Sequence, residues 1–328
     1  MPKKNKIIRA KLIANPGAGD VLKAASRLEQ VTQYLLKYGL KVDVALAKPK
    51  KEAIPIAMRA VKDGYDVVIA MGGDGTIGAV IRGIAKSKVK LGIIPAGTEN
   101  DIAKSLGIPD DLKAACALIA SGHTRKLDLG QISTRKRKKF YFFMVAAIGL
   151  TATLYPEISD VPNGKFGGIK DAVMTLLKYK TKPTVFLTLD DESKIEVESM
   201  LVTISNTPVT GAKNLVAPDA SMEDGLLDIS VYPDFSKVEL LNYFVKSANM
   251  ATTPDGRIQR YRARKIKVKT IPKLDVAAEG IILGKGMAKI KVLPGALRVI
   301  APEPGKGAEK SQTKVVKELP EPVSPTSQ

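Results

Sequence analysis

The chain has 328 residues, a formal net charge of +19 and a hydrophobic content of 45%. This length exceeds that of one ordinary domain, so the sequence predicts two domains with sizeable cores. A single cysteine and a single histidine exclude an intrachain disulfide framework and disfavour a zinc site or a histidine-based catalytic triad.

The first part of the chain alternates between strand and helix patterns. Strands are predicted over residues 7–13, 41–47, 66–71, 91–94 and 126–131, and helices over residues 21–38, 52–62, 77–86, 101–106 and 110–121. Such β-α-β-α alternation is typical of a parallel sheet covered by helices. The sequence therefore predicts a doubly wound α/β domain over residues 1–134.

From about residue 135 the pattern changes to strands separated by turn residues. The strands are predicted over residues 140–147, 184–189, 194–205, 227–232, 264–269, 273–277 and 288–293, with helices over residues 168–179 and 237–247. This pattern favours a mostly antiparallel β-sandwich domain over residues 135–302. Residues 303–328 are rich in Pro, Glu, Lys and Ser, which predicts a disordered tail.

Basic residues concentrate in two segments of the second half. Residues 135–139 are all Arg or Lys and are expected at a hairpin tip, whereas Lys265, Lys267 and Lys269 alternate with apolar residues and so share one strand face. Such a face is either simply solvated or attracts anionic partners, of which an anionic membrane surface is one. A nucleic-acid partner is disfavoured because few aromatic side chains are present to stack on bases.

Apolar segments suited to membrane insertion are short. The stretch after the basic N-terminus is interrupted by Arg9 and Lys11, which argues against a signal peptide. The longest apolar run, residues 140–150, is too short to cross a bilayer. We expect a cytoplasmic protein that associates peripherally with the inner face of the membrane.

Three glycine-containing loops each follow a predicted strand and precede a helix. They are Asn15-Pro16-Gly17-Ala18-Gly19, Gly72-Gly73-Asp74-Gly75-Thr76 and Pro95-Ala96-Gly97-Thr98-Glu99-Asn100-Asp101. The carboxyl ends of parallel strands are where open α/β sheets bind ligands, and glycines let backbone N–H groups approach phosphate oxygens. The three loops together therefore predict a phosphate-binding site, with carboxylates available for a metal ion or for a substrate hydroxyl.

The second and third loops resemble the catalytic domain of diacylglycerol kinases, sphingosine kinases and related bacterial lipid kinases. Further segments extend the resemblance over about residues 7–302; they are residues 125–130, Asn206, residues 217–228 and residues 294–297. The same resemblance includes NAD kinases, which share the Gly-Gly-Asp-Gly-Thr loop. It implies a nucleotide-binding α/β domain joined to a β-sandwich domain.

The resemblance also implies a reaction and its site residues. The expected activity is transfer of the γ-phosphoryl group of ATP, with Mg²⁺, to the hydroxyl of diacylglycerol or a related lipid alcohol, by a chain that is a candidate homodimer. Asp74 and Glu279 are the expected catalytic residues, and Asp101, Asp128 and Asp224 the expected Mg²⁺ network. The expected ATP contacts are Asn15, Gly72, Gly73, Gly75, Thr76, Gly97, Thr98 and Asn100.

Three positions depart from the family pattern. Ala79 and Thr151 stand where the family has acidic residues, and Ile281 stands where it has the presumed catalytic base. A general base typically contributes about 10²- to 10⁴-fold to a rate, whereas phosphoryl transfer depends mainly on positioning and charge neutralisation. Two alternatives therefore stay open: a non-catalytic nucleotide- or lipid-binding homologue, and a kinase for NAD or another small alcohol.

Overall fold

The computed structural model describes residues 8–19, 21–48, 52–150, 182–210, 214–248 and 255–303. The predicted helix over residues 168–179, Thr151 and nearly all of the predicted tail lie outside these residues. The domain boundary at residue 134 stays a prediction.

A parallel sheet forms the first half of the described chain. Its strands are β1 (Ile8–Ala14), β2 (Leu40–Leu46), β3 (Val67–Gly72) and β4 (Lys90–Pro95), in the order β2-β1-β3-β4. Every residue of β3 is buried, because helices cover both faces of a doubly wound sheet. The predicted α/β architecture is confirmed.

Two helices pack on each face of this sheet. On one face, Val31 and Leu35 of α1 (Ala24–Lys37) share a core with Cys116 and Ile119 of α5 (Leu112–Ser121). On the other face, α2 (Ile54–Lys62) packs against α3 (Asp74–Ile84). A short helix, α4 (Asp101–Ser105), follows β4. The predicted helix over residues 21–38 begins instead with a 3-10 turn over Val21–Lys23.

The remaining described elements are mostly strands. They are β5 (Thr124–Thr134), β6 (Phe140–Phe142), β7 (Val145–Gly149), β8 (Thr184–Leu189), β9 (Ser193–Glu198), β10 (Leu201–Ser205), β11 (Val209–Thr210), β12 (Asn214–Leu215), β13 (Leu227–Val231), α6 (Lys237–Ala248), β14 (Gln259–Ala263), β15 (Lys265–Ile271), β16 (Asp275–Ala278), β17 (Ile281–Lys285) and β18 (Met287–Ile300). An antiparallel sheet in the order β14-β13-β10-β7-β16-β17 faces a second layer that contains β5, β18, β15 and β8. Side chains from both layers form one apolar core, so the predicted sandwich is confirmed.

The predicted single strand over residues 194–205 is wrong. The chain divides there into β9 and β10, which belong to different sheets. Buried Ser199 lies at the break, where its single hydroxyl proton is within hydrogen-bond distance of two carbonyl oxygens, that of Leu201 at 2.7 Å and that of Tyr232 at 3.0 Å. Such side-chain bonds to backbone compete with the strand ladder. The predicted strand over residues 140–147 divides similarly into β6 and β7, and β14 and β17 were not predicted.

Strand β18 connects the two halves of the molecule. Its first part pairs antiparallel with β15 and β5, and its end pairs parallel with β4 through Arg298 and Val299. The register with β5 shifts between Leu293 and Leu297, around Gly295, whose φ is +56°. In the described residues, a single ten-stranded sheet therefore runs through both halves. The sequence patterns did not predict this continuity.

Gly130 of β5 gives a test of this packing. A Cβ atom at Gly130 would lie 2.0 Å from Cζ of the buried Phe142 ring on the paired strand β6. Gly130→Ala should lower the free energy of unfolding by about 3 kcal/mol, since overpacking a core forces side chains and backbone to shift. Urea denaturation measures the change. Gly256→Ala is the control, because no atom lies within 4 Å of a Cβ placed at that residue; equal losses in both variants would contradict the prediction.

Candidate active site at the strand ends

The loops after β3 and β4 contact each other through their backbones. A Cβ atom on Gly97 would lie 2.4 Å from Cα of Gly73, and one on Gly72 would lie 2.5 Å from Oγ1 of Thr76. The loop after β1 joins them, because a Cβ atom on Gly19 would lie 2.5 Å from the carbonyl oxygen of Ala96. Glycine at these positions is therefore required by loop packing. The three predicted loops form one continuous wall at the ends of β1, β3 and β4.

Gly75 differs from these glycines. It is exposed, and no atom lies within 4 Å of a Cβ placed on it, so open space stands over the beginning of α3. The first N–H groups of a helix have no intrahelical acceptor and favour an anion. Thr98 is exposed on the neighbouring loop, and the Thr76 hydroxyl is buried without a hydrogen-bond partner in the described part of the chain. This combination fits a phosphate group.

Asp74 connects the second loop to the third. Its Oδ2 accepts from the backbone N–H of Asp101 at 3.0 Å, and its Oδ1 accepts from the N–H of Ile102 at 2.8 Å. The carboxylate therefore satisfies two N–H groups at the start of α4, where a negative charge is also favoured by the helix dipole. The sequence reading missed this positioning role. The expected catalytic role of Asp74 stays a prediction.

Asn100 holds the third loop closed. Its φ is +56°, its Oδ1 accepts from the N–H of Gly97 at 2.9 Å, and its Nδ2 donates to the carbonyl of Gly97 at 3.1 Å. Left-handed backbone is tolerated best by Gly and Asn, which explains this residue type. Asp101 follows and is buried. The side chain of Asn100 thus shapes the loop, and its contact with ATP stays a prediction.

A cavity of about 260 Å³ lies beside the wall. It opens at the ends of β1, β2 and β3 and extends over the start of α1; its lining includes Ala14, Asn15, Arg27, Leu28, Leu46 and Met71. Most of these side chains are apolar, and the Asn15 side chain accepts from the N–H of Gly17 at 3.0 Å. An apolar cavity with a few polar groups is typical of a small-molecule site.

The structure gives Asp128 and Asp224 partners other than a metal. Buried Asp128 accepts from the N–H of Gly225 at 2.7 Å and of Gly295 at 2.8 Å. Burial raises the pKa of Asp128, and the two backbone hydrogen bonds oppose that rise. Asp224 forms an ion pair with Arg262. Asp128 of β5 therefore fixes the bend at Gly225 and the irregular part of β18 at Gly295.

Within the described ranges, no three Asp, Glu, His or Cys side chains lie together in a way that could hold a metal ion. The expected network of Asp101, Asp128 and Asp224 thus stays a prediction. Nucleotide-bound Mg²⁺ commonly takes only one or two carboxylates, with phosphates and water as its other ligands. Each carboxylate oxygen also accepts more than one hydrogen bond, so the observed bonds leave room for a metal-bound water.

Glu279 faces α3 from the turn between β16 and β17. Its Oε1 accepts from the N–H of Met144 at 2.8 Å, and its Oε2 would lie 3.6 Å from a Cβ on Gly78. The same Cβ would lie 3.4 Å from Nη1 of Arg82. Desolvation raises the pKa of Glu279, whereas the Met144 N–H and the Arg82 guanidinium oppose the rise. The absence of a side chain at Gly78 leaves this space to Glu279 and Arg82.

The sequence reading missed Arg82. It is the only basic residue in α3, and its guanidinium lies 5.1 Å from the centroid of the Phe140 ring. Burial lowers the pKa of Arg82, and the charge of Glu279 opposes that change. The available signal was one basic residue in the apolar part of the helix that follows its first turn. Two of the positions that depart from the family pattern lie in the described residues, and both carry apolar side chains. Ala79 is fully buried, and Ile281 packs against the sandwich core.

Two family models match separate parts of the chain. Residues 9–132 match the diacylglycerol kinase catalytic domain, and residues 160–301 match the YegS C-terminal NAD kinase beta sandwich-like domain. A diacylglycerol kinase of Mycobacterium tuberculosis is 29% identical over 308 residues, covering 92% of this chain and 98% of the relative. One of Staphylococcus aureus is 29% identical over 300 residues, covering 90% and 92%.

Solved structures share the fold. A putative diacylglycerol kinase from Bacillus anthracis superposes with a TM-score of 0.72 at 24% identity, covering 92% of this chain and 99% of that one. An NAD kinase from Archaeoglobus fulgidus, solved in complex with ATP, gives a TM-score of 0.53 at 13% identity, covering 94% and 99%.

The fold thus has the two-domain architecture of the solved diacylglycerol kinase and NAD kinase structures. The two family models together match most of the chain, and the predicted resemblance to diacylglycerol kinases is confirmed. None of the helices in the described residues has the length and apolar character needed to cross a membrane.

Two glycine substitutions separate packing from ligand binding. Gly97→Ala should lower the melting temperature, because its Cβ meets the backbone of Gly73. Gly75→Ala should leave the melting temperature unchanged or slightly higher, since Ala is favoured over Gly in a helix, but should weaken Mg·ATP binding at least tenfold by filling the space over α3. Thermal unfolding and calorimetric titration measure both. If Gly75→Ala binds Mg·ATP as tightly as the wild type, then no phosphate group binds over Gly75.

Proposed function

We propose that the chain is an ATP-dependent lipid kinase that transfers the γ-phosphoryl group to the hydroxyl of diacylglycerol or a related lipid alcohol. The observation that carries this proposal is the open start of α3 at Gly75, within a wall of loops packed backbone to backbone. The matching family models and relatives named diacylglycerol kinase support the reaction and the substrate class.

The nucleotide would lie along the strand ends. The apolar cavity beside Asn15 is suited to the base, and the start of α3, with Thr76 and Thr98 nearby, is suited to the phosphates. Bound Mg²⁺ would neutralise phosphate charge, with Asp101, Asp128 and Asp224 as the candidate residues to hold it. The chain's own contribution is to fix the loops, through the bonds of Asp74 and Asn100.

Glu279 is the candidate group to accept the proton of the substrate hydroxyl. A raised pKa brings a carboxylate nearer to the operating pH, which improves it as a general base. Arg82 stabilises the ionised form, so that Glu279 remains available to accept a proton despite desolvation. Ile281, in the position of the family's presumed base, has no group that accepts a proton.

A second function is favoured by one specific observation. Ala79 and Ile281 replace two family carboxylates with buried or half-buried apolar side chains. A protein that binds nucleotide or lipid without transferring phosphate would tolerate both replacements. Fold similarity to NAD kinases makes NAD the further acceptor to assay.

An assay with radiolabelled ATP separates these functions. Diacylglycerol in detergent micelles, sphingosine, NAD and no acceptor are compared, and we expect labelled lipid with diacylglycerol or sphingosine. Glu279→Gln should lower kcat by about 10²-fold, within the range for loss of a general base, while ATP affinity stays unchanged. Labelled NADP alone would identify a NAD kinase. ATP binding without any labelled product would establish the non-catalytic function.

The pH dependence of kcat/KM tests the pairing of Arg82 with Glu279. Activity should rise with pH as Glu279 loses its proton, at a pH above the ordinary value for glutamate because desolvation raises its pKa. Arg82→Met removes the opposing positive charge, so the pKa should rise further and the acidic limb should move to higher pH. Arg82→Lys, which keeps a cation, is the matched control. If the acidic limb of the Arg82→Met profile does not move, a group other than Glu279 determines the pH at which activity rises.

A further inference from the structure

The outer face of the sandwich carries rows of lysine on two paired strands. Lys265, Lys267 and Lys269 of β15 are exposed on this face, as are Lys289 and Lys291 of β18. Lys265 lies opposite Lys291, and Lys267 lies opposite Lys289. The alternate residues of both strands point into the apolar core. These five residues are called the lysine face.

The lysine face opposes folding electrostatically. Like charges directly opposite each other on paired strands are destabilising. Asp191 offsets part of this repulsion through contacts of 3.4 Å with Lys265 and 2.6 Å with Lys267. Among the carboxylates of the described residues, none forms an ion pair with the other three lysines of the face. Ion pairing within the described residues therefore does not account for these three charges.

Exposed apolar side chains border the lysines at one end. Met287 lies opposite Lys269 and is 55% exposed, and Ile271, two residues further along β15, is 52% exposed. The ammonium group of Lys269 lies 5.7 Å from the centroid of the Phe186 ring on β8. Glu196 and Glu198 on β9, beyond β8, bound the basic area on its far side. The surface thus joins cations to aliphatic groups at one end of the sheet.

The basic turn over residues 135–139 extends this surface toward the candidate active site. The turn lies between β5 and β6, as predicted, and all five of its residues are exposed. It follows Thr134, which pairs with Ala288 next to Met287. The turn ends next to Phe140, whose ring centroid lies 5.1 Å from the Arg82 guanidinium, and Arg82 and Glu279 both border the space over Gly78. The turn therefore lies between the lysine face and the group expected to receive the substrate hydroxyl.

We propose that the lysine face, the turn over residues 135–139 and the apolar pair Ile271 and Met287 dock together on an anionic lipid bilayer. The cations would contact headgroups and the apolar pair would enter the interface, a division typical of peripheral membrane proteins. Docking in this orientation brings the Glu279 side of the molecule to the membrane. The choice of a lipid substrate rests on the proposed function, whereas the docking itself rests on this surface.

Other occupants fit the same surface less well. A second copy of the chain would place lysines against lysines, which repel. A nucleic acid would use the cations but would leave Ile271 and Met287 exposed to water. An anionic bilayer uses both parts of the surface.

Vesicle sedimentation tests the docking. Phosphatidylcholine vesicles with and without phosphatidylglycerol are mixed with the wild-type chain, which should bind the anionic vesicles and lose binding at high salt. Combined Lys269→Glu, Lys289→Glu and Lys291→Glu should lower partitioning by about a hundredfold. Ile271→Ser with Met287→Ser should also weaken binding.

The matched control reverses three exposed lysines on the helices of the first half, Lys37→Glu, Lys62→Glu and Lys113→Glu. It makes the same change in net charge and should bind within about threefold of the wild type. The three lysines lie on helices that cover the β2-β1-β3-β4 part of the sheet, whereas the docking surface lies on β15 and the first part of β18. Equal loss in the two triple variants would show that net charge alone matters. Wild-type binding by the lysine-face variant would also overturn the proposal.

Further measurements separate this proposal from the proposed function. The lysine-face variant should keep its activity on diacylglycerol in detergent micelles and lose it on vesicles. A wild-type chain that binds vesicles but phosphorylates no lipid would overturn the function and leave the docking intact. Loss of RNA binding, or dissociation of a dimer, in the lysine-face variant with vesicle binding unchanged would assign the face to that partner instead.

Discussion

The backbone contact between Gly73 and Gly97 is the constraint on which the candidate site depends. It brings the loops after two adjacent parallel strands together without intervening side chains. Asp74 then reaches across to the N–H groups that begin α4, and Asn100 closes its own loop. A larger residue at either glycine would push the loops apart and break those bonds. Gly75, two residues after this contact, remains exposed at the start of α3.

The order and type of most elements could be predicted from local patterns, because strand and helix periodicities differ and helix-covered strands are uniformly apolar. The break at Ser199 could not, since it depends on a hydroxyl bonding to the carbonyl of Tyr232, distant in sequence. The pairing of β18 with β4 is likewise a long-range event. Periodicity describes one segment at a time and does not indicate which sheet that segment joins.

The candidate site was predicted in part, and for a related reason. Its loops carry glycines and carboxylates whose spacing is visible in the sequence. The hydrogen bonds of Asp74, Asn100 and Asp128, by contrast, involve partners that only the folded structure identifies. Arg82 and Glu279 are 197 positions apart in the sequence. Their electrostatic interaction, across a gap left by Gly78, became visible only with the fold. The departures from the family pattern at Ala79 and Ile281 therefore have to be interpreted together with Arg82 and Glu279.

Strand β18 has a consequence for synthesis of the chain. Translation proceeds from the N-terminus, so α1 to α5 and four parallel strands emerge before Arg298 and Val299 exist to pair with β4. Until then the nascent chain holds β4 as an unprotected edge, which is open to pairing with another molecule. Loss of the last segment before residue 300 would leave that edge permanently exposed. The end of β18 thus protects the edge of a sheet whose first strand is synthesised at the beginning of the chain.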